Sequence, residues 1–163
     1  ENKVQEAIEK WTDVKIKNDK INLHLIGKLQ TNKVKFAIKL FNYIHSLDSE
    51  KLAKKIADEQ SKHGVKPKIF IQINLGEESQ KSGIKKENLV DFYNLSKDLG
   101  LNIIGTMCIP PFDRNPSIYF EEMNVLKNSL NKNLKLSMGM SNDYEIALNY
   151  QSDLIRVGSK IFE

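Results

Sequence analysis

Apolar positions along the chain switch period repeatedly, and each switch marks an element. "INLHLIG" (residues 21–27) is a short apolar run closed by glycine, and "TNKVKFAIKLF" (31–41) follows with helical spacing. "YIHSL" (43–47) is strand-like, and residues 49–63 form an amphipathic helix whose stripe is Leu52, Ala53, Ile56 and Ala57, with Gly64 placed to stop it. The strongest strand is "KIFIQINL" (68–75), rich in β-branched residues and bounded by Pro67 and Gly76. A helix over 87–99 buries Leu89, Phe92, Tyr93 and Leu99 and ends at Gly100. "LNIIGTM" (101–107) is the next strand, and Pro116 suits the first turn of another helix. "LKLSM" (134–138), a short helix after Ser141 and "DLIRVG" (153–158) complete the series.

This makes about six strands, each separated from the next by a helix, without an internal repeat. Strands that are almost continuously apolar and alternate with helices form a parallel sheet covered by helices. The candidates are a doubly wound open sheet and a (β/α)8 barrel. No GxGxxG or GxxxxGK[ST] follows a strand, which weighs against the nucleotide-binding open sheets. A closed eight-stranded barrel takes about 200 residues or more. With 163 residues, the chain reads either as an open sheet or as a barrel lacking roughly its first strand–helix–strand.

Composition adds limits. An apolar share of 40% and a charged share of 28% suit one compact domain spanning residues 1–163. The longest apolar run, 69–73, is already interrupted by Gln72, far short of the ~18 residues of a membrane span. "ENKVQEAIEKW" at the start is an amphipathic helix of mixed charge, without the pattern of a secretory signal. The single cysteine, Cys108, excludes an internal disulfide and favours a reducing cytoplasm. Net charge is +4, and the lysines scatter except between Lys15 and Lys39. Nucleic-acid binding would call for arginines and aromatics in a stripe, so that stretch reads as a solvated face, with a basic nucleic-acid-binding protein as the remote alternative.

Chemistry in parallel α/β proteins collects at strand C-termini. Here those positions offer Lys28 after Gly27, His45 with Ser46, Asn74, Met107, the Ser137–Ser141 turn, and Arg156 with Gly158 and Ser159. Ser141 or Asn142 is placed to cap the following helix, and Asn142 with Glu145 has capping-box spacing. The same backbone N–H groups would hold an anion if a phosphate replaced the cap, with Gly139 and Gly158 permitting close approach. Arg156 interrupts an apolar strand and needs either a carboxylate such as Asp153 or Glu145, or a ligand's acceptor atom. His24 and His45 read as hydrogen-bonded core residues. The histidines stand 21 and 18 residues apart without a carboxylate pattern, which does not suggest a metal site.

The stretches "NLHLIGKLQTNKVK" (22–35), "IHSLDS" (44–49), "IQINLGEESQKSGI" (71–84), "GTMCIPP" (105–111), "LSMGMSNDYEIAL" (136–148) and "IRVGSKIF" (155–162) together resemble the pyridoxal phosphate homeostasis proteins, which are similar to the N-terminal barrel of alanine racemase. The resemblance implies a barrel of that type that holds pyridoxal 5′-phosphate at its strand C-termini, without established catalytic turnover. It implies that Ser137, Gly139, Ser141, Gly158 and Ser159 surround the phosphate, and that Arg156 approaches the pyridine nitrogen. His24, Asn74 and Asn2 would line the pocket. "ENKVQEA" (1–7) resembles the segment just after the family's second strand, so the strand bearing the Schiff-base lysine is expected upstream of Glu1. Neither Lys28, at a different strand end, nor Lys81, in a loop, replaces that lysine by motif. The expectation is a cytoplasmic monomer that binds the cofactor and has pyridoxal phosphate-dependent apoenzymes as candidate recipients. A racemase-type enzyme fragment is the alternative, and it would need a second domain to supply an acid–base residue.

Overall fold

The computed structural model describes residues 1–18, 20–76 and 82–162; Lys81 and the rest of 77–81 lie outside them. Six strands, β1 (His24–Leu25), β2 (Tyr43–Leu47), β3 (Lys68–Ile73), β4 (Asn102–Cys108), β5 (Lys135–Met140) and β6 (Leu154–Arg156), form one sheet in sequential order. Every neighbouring pair is parallel. Helices α1 (Val4–Lys17), α2 (Val34–Leu40), α3 (Glu50–His63), α4 (Leu89–Asp98), α5 (Pro116–Leu130), α6 (Tyr144–Asn149) and α7 (Ser159–Phe162) alternate with the strands.

Local chemistry sets several boundaries. Ser49 caps α3 by accepting from the Leu52 N–H, and Gly64 ends it in the left-handed region at φ 64°. Asn115 accepts from the Ser117 N–H while Pro116 opens α5. The helices expected over 31–41 and 87–99 both begin as 3-10 turns, at Thr31–Lys33 and Lys86–Asn88. Lys15, in the stretch read as solvated, is half-buried and donates to the Leu40 carbonyl and the Asn42 side chain. Its ammonium stitches α1 to the end of α2, and burial lowers its pKa.

The sheet has two unlike faces. Ile69, Ile71 and Ile73 of β3 turn outward into an aliphatic core with Leu52 and Ile56 of α3 and Phe92 of α4. Phe70 and Met107 are just as buried but stand apart from that core, on the inner face. Phe70 lies opposite Gly105 in β4, where an added Cβ would run into the Lys135 carbonyl and the Phe70 ring. The glycine is what lets an aromatic ring fill the inside.

The sheet curls into part of a barrel. In a flat sheet β2 and β5 would lie about 14 Å apart, three spacings of about 4.8 Å. Yet His45 of β2 and Ser137 of β5 are hydrogen-bonded at 2.9 Å across the inner face. Among the described residues this is a half-barrel of six parallel strands. Edge strand β1 also carries Glu1, whose backbone nitrogen donates to the His24 carbonyl while its own carbonyl accepts from Ile26, the pattern of a parallel bridge.

One expected boundary is corrected. β5 does not end at Met138 but continues to Met140, so Gly139 lies inside the strand at φ 96°. A Cβ there would sit 2.6 Å from that of Ala147. Gly139 serves the contact between β5 and α6 rather than a turn.

Candidate functional site

Four inward side chains from four strands make one hydrogen-bonded chain. Arg156 donates from Nη1 to Ser137 Oγ at 2.8 Å and from Nη2 to the Cys108 carbonyl at 2.9 Å. Ser137 Oγ bonds His45 Nδ1 at 2.9 Å, and His45 Nε2 bonds His24 Nδ1 at 2.9 Å. The rings are held by stacking as well: His45 on Phe70 with centroids 4.4 Å apart, and His24 on Tyr43 at 4.0 Å. Neither carboxylate considered for Arg156 pairs with it. Asp153 accepts from the Leu136 N–H, and Glu145 pairs with Lys160. A guanidinium that burial works against thus makes no contact ion pair among the described residues, although the Asp143 charge acts on it from a distance.

Beside it opens a cavity of about 530 Å³ between the two edge strands. His24, His45 and Asn2 line one wall, Arg156, Gly158 and Ser159 the other, with Ser141 at the mouth. Gly27 places Asn2 there, because a Cβ on Gly27 would collide with the Asn2 backbone. Three expected members lie elsewhere. Ser137 is fully buried behind Arg156, and Gly139 faces α6. Asn74 follows β3, where its N–H donates to the Ile84 carbonyl, away from the cavity wall.

The capping expectation also changes. The N-cap of α6 is Asp143, whose Oδ1 accepts from the Met140 N–H instead of capping the helix. Ser141 Oγ reaches across to accept from the Gly158 N–H at 3.2 Å, tying the loop after β5 to the loop after β6. Gly158's amide is therefore taken; those of Ser159 and Lys160, opening α7, have no partner among the described residues.

His45 is the residue that sequence reasoning undervalued. Its signal was its phase: β1 and β2 align His24 with Tyr43, so His45 shares the inward face. Burial, then the neighbouring His24 and Arg156, lower its pKa to about 3. Burial likewise lowers that of His24. A histidine held neutral in the fold but free to protonate when unfolded contributes stability above about pH 6.5, and that contribution is lost as pH falls towards 3. At about 1.4 kcal/mol per pH unit the full His45 effect is on the order of 5 kcal/mol. Urea midpoints measured from pH 7 to pH 4 are expected to fall more steeply for the wild type than for His45→Phe. Parallel curves would remove His45 as the cause.

The whole chain, residues 1–163, matches the alanine racemase N-terminal domain family. A pyridoxal phosphate homeostasis protein of Aquifex aeolicus is 34% identical over 171 residues, covering 99% of this chain and 74% of the relative. This chain belongs to the pyridoxal phosphate homeostasis family. PipY of Synechococcus elongatus, solved without pyridoxal phosphate, superposes with a TM-score of 0.93 at 31% identity, over 99% of this chain and 80% of that one. With pyridoxal phosphate bound, PipY gives a TM-score of 0.90 at 30% identity, over 99% and 79%. An alanine racemase of Clostridium difficile shares the fold at a TM-score of 0.74 and 14% identity, covering 97% of this chain and 42% of that one. The half-barrel is thus the homeostasis-family version of the racemase-type barrel, and the cavity lies at the C-terminal ends of its strands. No described helix is long and apolar enough to cross a membrane.

Proposed function

We propose that this chain binds pyridoxal 5′-phosphate in the cavity between β1 and β6 and serves vitamin B6 homeostasis without turning a substrate over. The observation that carries the reading is Arg156, a guanidinium fixed by Ser137 and the Cys108 carbonyl, paired with no carboxylate among the described residues, on the wall of a cavity of about 530 Å³. That volume suits a small cofactor. Arg156 would face the pyridine nitrogen, while Ser141, Gly158 and Ser159, with the N–H groups opening α7 that have no partner among the described residues, would meet the phosphate. Ser137 acts behind the wall, as the anchor of Arg156.

When bound, the cofactor supplies an electron-withdrawing ring. An arginine beside the ring nitrogen disfavours its protonation, since two adjacent cations repel, and this suits retention more than catalysis. Among the described residues no lysine lines the cavity, and the family resemblance places the Schiff-base lysine upstream of Glu1. The single buried thiol agrees with a reducing cytoplasm, and the names of the relatives agree with a non-catalytic role. The same reading makes the protein a monomer that releases its cofactor to apoenzymes.

Gly158→Asp tests the phosphate end cleanly. A Cβ at Gly158 meets nothing within 4 Å, so the fold tolerates the side chain while the carboxylate repels a phosphate. Binding by equilibrium dialysis is expected to weaken about tenfold or more, on the scale of a lost charge-assisted contact, at an unchanged urea midpoint. Unaltered binding would remove the phosphate from this loop.

A further inference from the structure

We infer that His24 presents a fixed Nε2–H donor to the cavity, its tautomer dictated from Arg156 through Ser137 and His45. The protons along this hydrogen-bonded chain can be placed one by one. A guanidinium only donates, so Ser137 Oγ accepts at its Arg156 contact. The hydroxyl then has one proton left to place. Ser137 is fully buried, out of reach of bulk water, and its only other partner among the described residues is His45 Nδ1. Were His45 to donate from Nδ1, the serine would accept twice and its proton would be buried without an acceptor, a costly arrangement. Ser137 therefore donates, and His45 Nδ1 accepts.

The neutral His45 ring then carries its proton on Nε2 and donates it to His24 Nδ1. His24 in turn carries its proton on Nε2, the nitrogen that has no partner among the described residues, on a ring that lines the cavity. The stack on Tyr43 fixes the plane of the ring, and the bond to His45 fixes which edge faces inward. Protonating either histidine would set two donors against each other, a geometric reason, beyond burial, for both to stay neutral.

Two side chains of this wall are thus fixed as donors, Arg156 on one side and His24 on the other, whereas Asn2, Ser141 and Ser159 can donate or accept. Such a wall selects a ligand by its acceptors, an ionised hydroxyl or another anionic oxygen, and rejects one that offers N–H or cationic groups there. The tautomers belong to the chain itself. That the acceptor opposite His24 is an oxygen of pyridoxal phosphate rests on the function proposed above.

Long-range proton–nitrogen NMR on histidine-labelled protein at neutral pH reads the tautomers directly. Both rings are expected to show a protonated Nε2 and a bare Nδ1; a protonated Nδ1 on either overturns the relay. In His45→Phe, which keeps a ring against Phe70, His24 is expected to lose its single tautomer and show a mixture. If His24 keeps one tautomer there, His45 is not its cause. Should that variant fail to fold, the wild-type spectrum alone decides. Adding pyridoxal phosphate is expected to move the His24 Nε2–H signal and leave the tautomers unchanged. Binding that perturbs other residues but not His24 overturns the donor role. No binding at all overturns the cofactor reading and leaves the relay standing.

Discussion

Replacing Arg156 with glutamine is expected to weaken pyridoxal phosphate retention by about 10- to 100-fold, the range for losing a hydrogen bond to a charged group. Glutamine rather than alanine is the sharper choice. Arg156 spends one nitrogen on Ser137 and another on the Cys108 carbonyl, and truncation to alanine would strand both acceptors in the barrel. Glutamine keeps an N–H donor for one of them and removes the charge. Dialysis against free cofactor reads the affinity, and a urea midpoint read in parallel separates lost recognition from lost folding. Retention equal to the wild type's would mean that the guanidinium is a structural strut and that the cofactor contacts something else.

Gly105→Ala is expected to cost stability on the order of 3 kcal/mol, the upper part of the overpacking range, through a single methyl group. The added Cβ would meet the Lys135 carbonyl and the Phe70 ring together. Backbone cannot rotate out of the way as a side chain can, so β4 and β5 would have to separate where Gly105 pairs with Lys135. Gly64→Ala makes the informative comparison. Nothing lies within 4 Å of its Cβ, and its cost of about 1 kcal/mol comes from the left-handed backbone alone. Urea denaturation of the two variants should rank them in that order. A Gly105→Ala midpoint at or above that of Gly64→Ala would show that the inner layer yields more easily than the contact geometry indicates.

The architecture was legible because apolar period and punctuation are local signals. The alternation of short β-branched runs with amphipathic helices, Ser49 and Gly64 at the ends of α3 and Pro116 at the start of α5 could all be read residue by residue. Strand ends meeting on one face brought Arg156 and Gly158 to one cavity, whereas His24, which the pattern alone read as a core residue, was placed there only by the family resemblance. What escaped depends on register and curvature. "LSMGMS" looks like a strand running into a small-residue turn, but β5 continues through Gly139 because α6 packs against it there. Ser137 therefore points into the barrel instead of standing in a loop. Asn74 looked equivalent to other strand-end residues, yet the bond of its N–H to the Ile84 carbonyl holds it in the β3 connection. His45 and Ser137 are 92 residues apart in the chain, and only the curl of the sheet makes them neighbours.

The double attachment of Arg156 also decides which part of the barrel can breathe. Through one guanidinium, β6 is riveted to β5 at Ser137 and to the last residue of β4 at Cys108, so these three strand ends move as one block. On the far side β1 is two residues long, and the backbone there is held to the Glu1 segment by a pair of hydrogen bonds. A molecule in the cavity would therefore meet a stationary jaw on the Arg156 side.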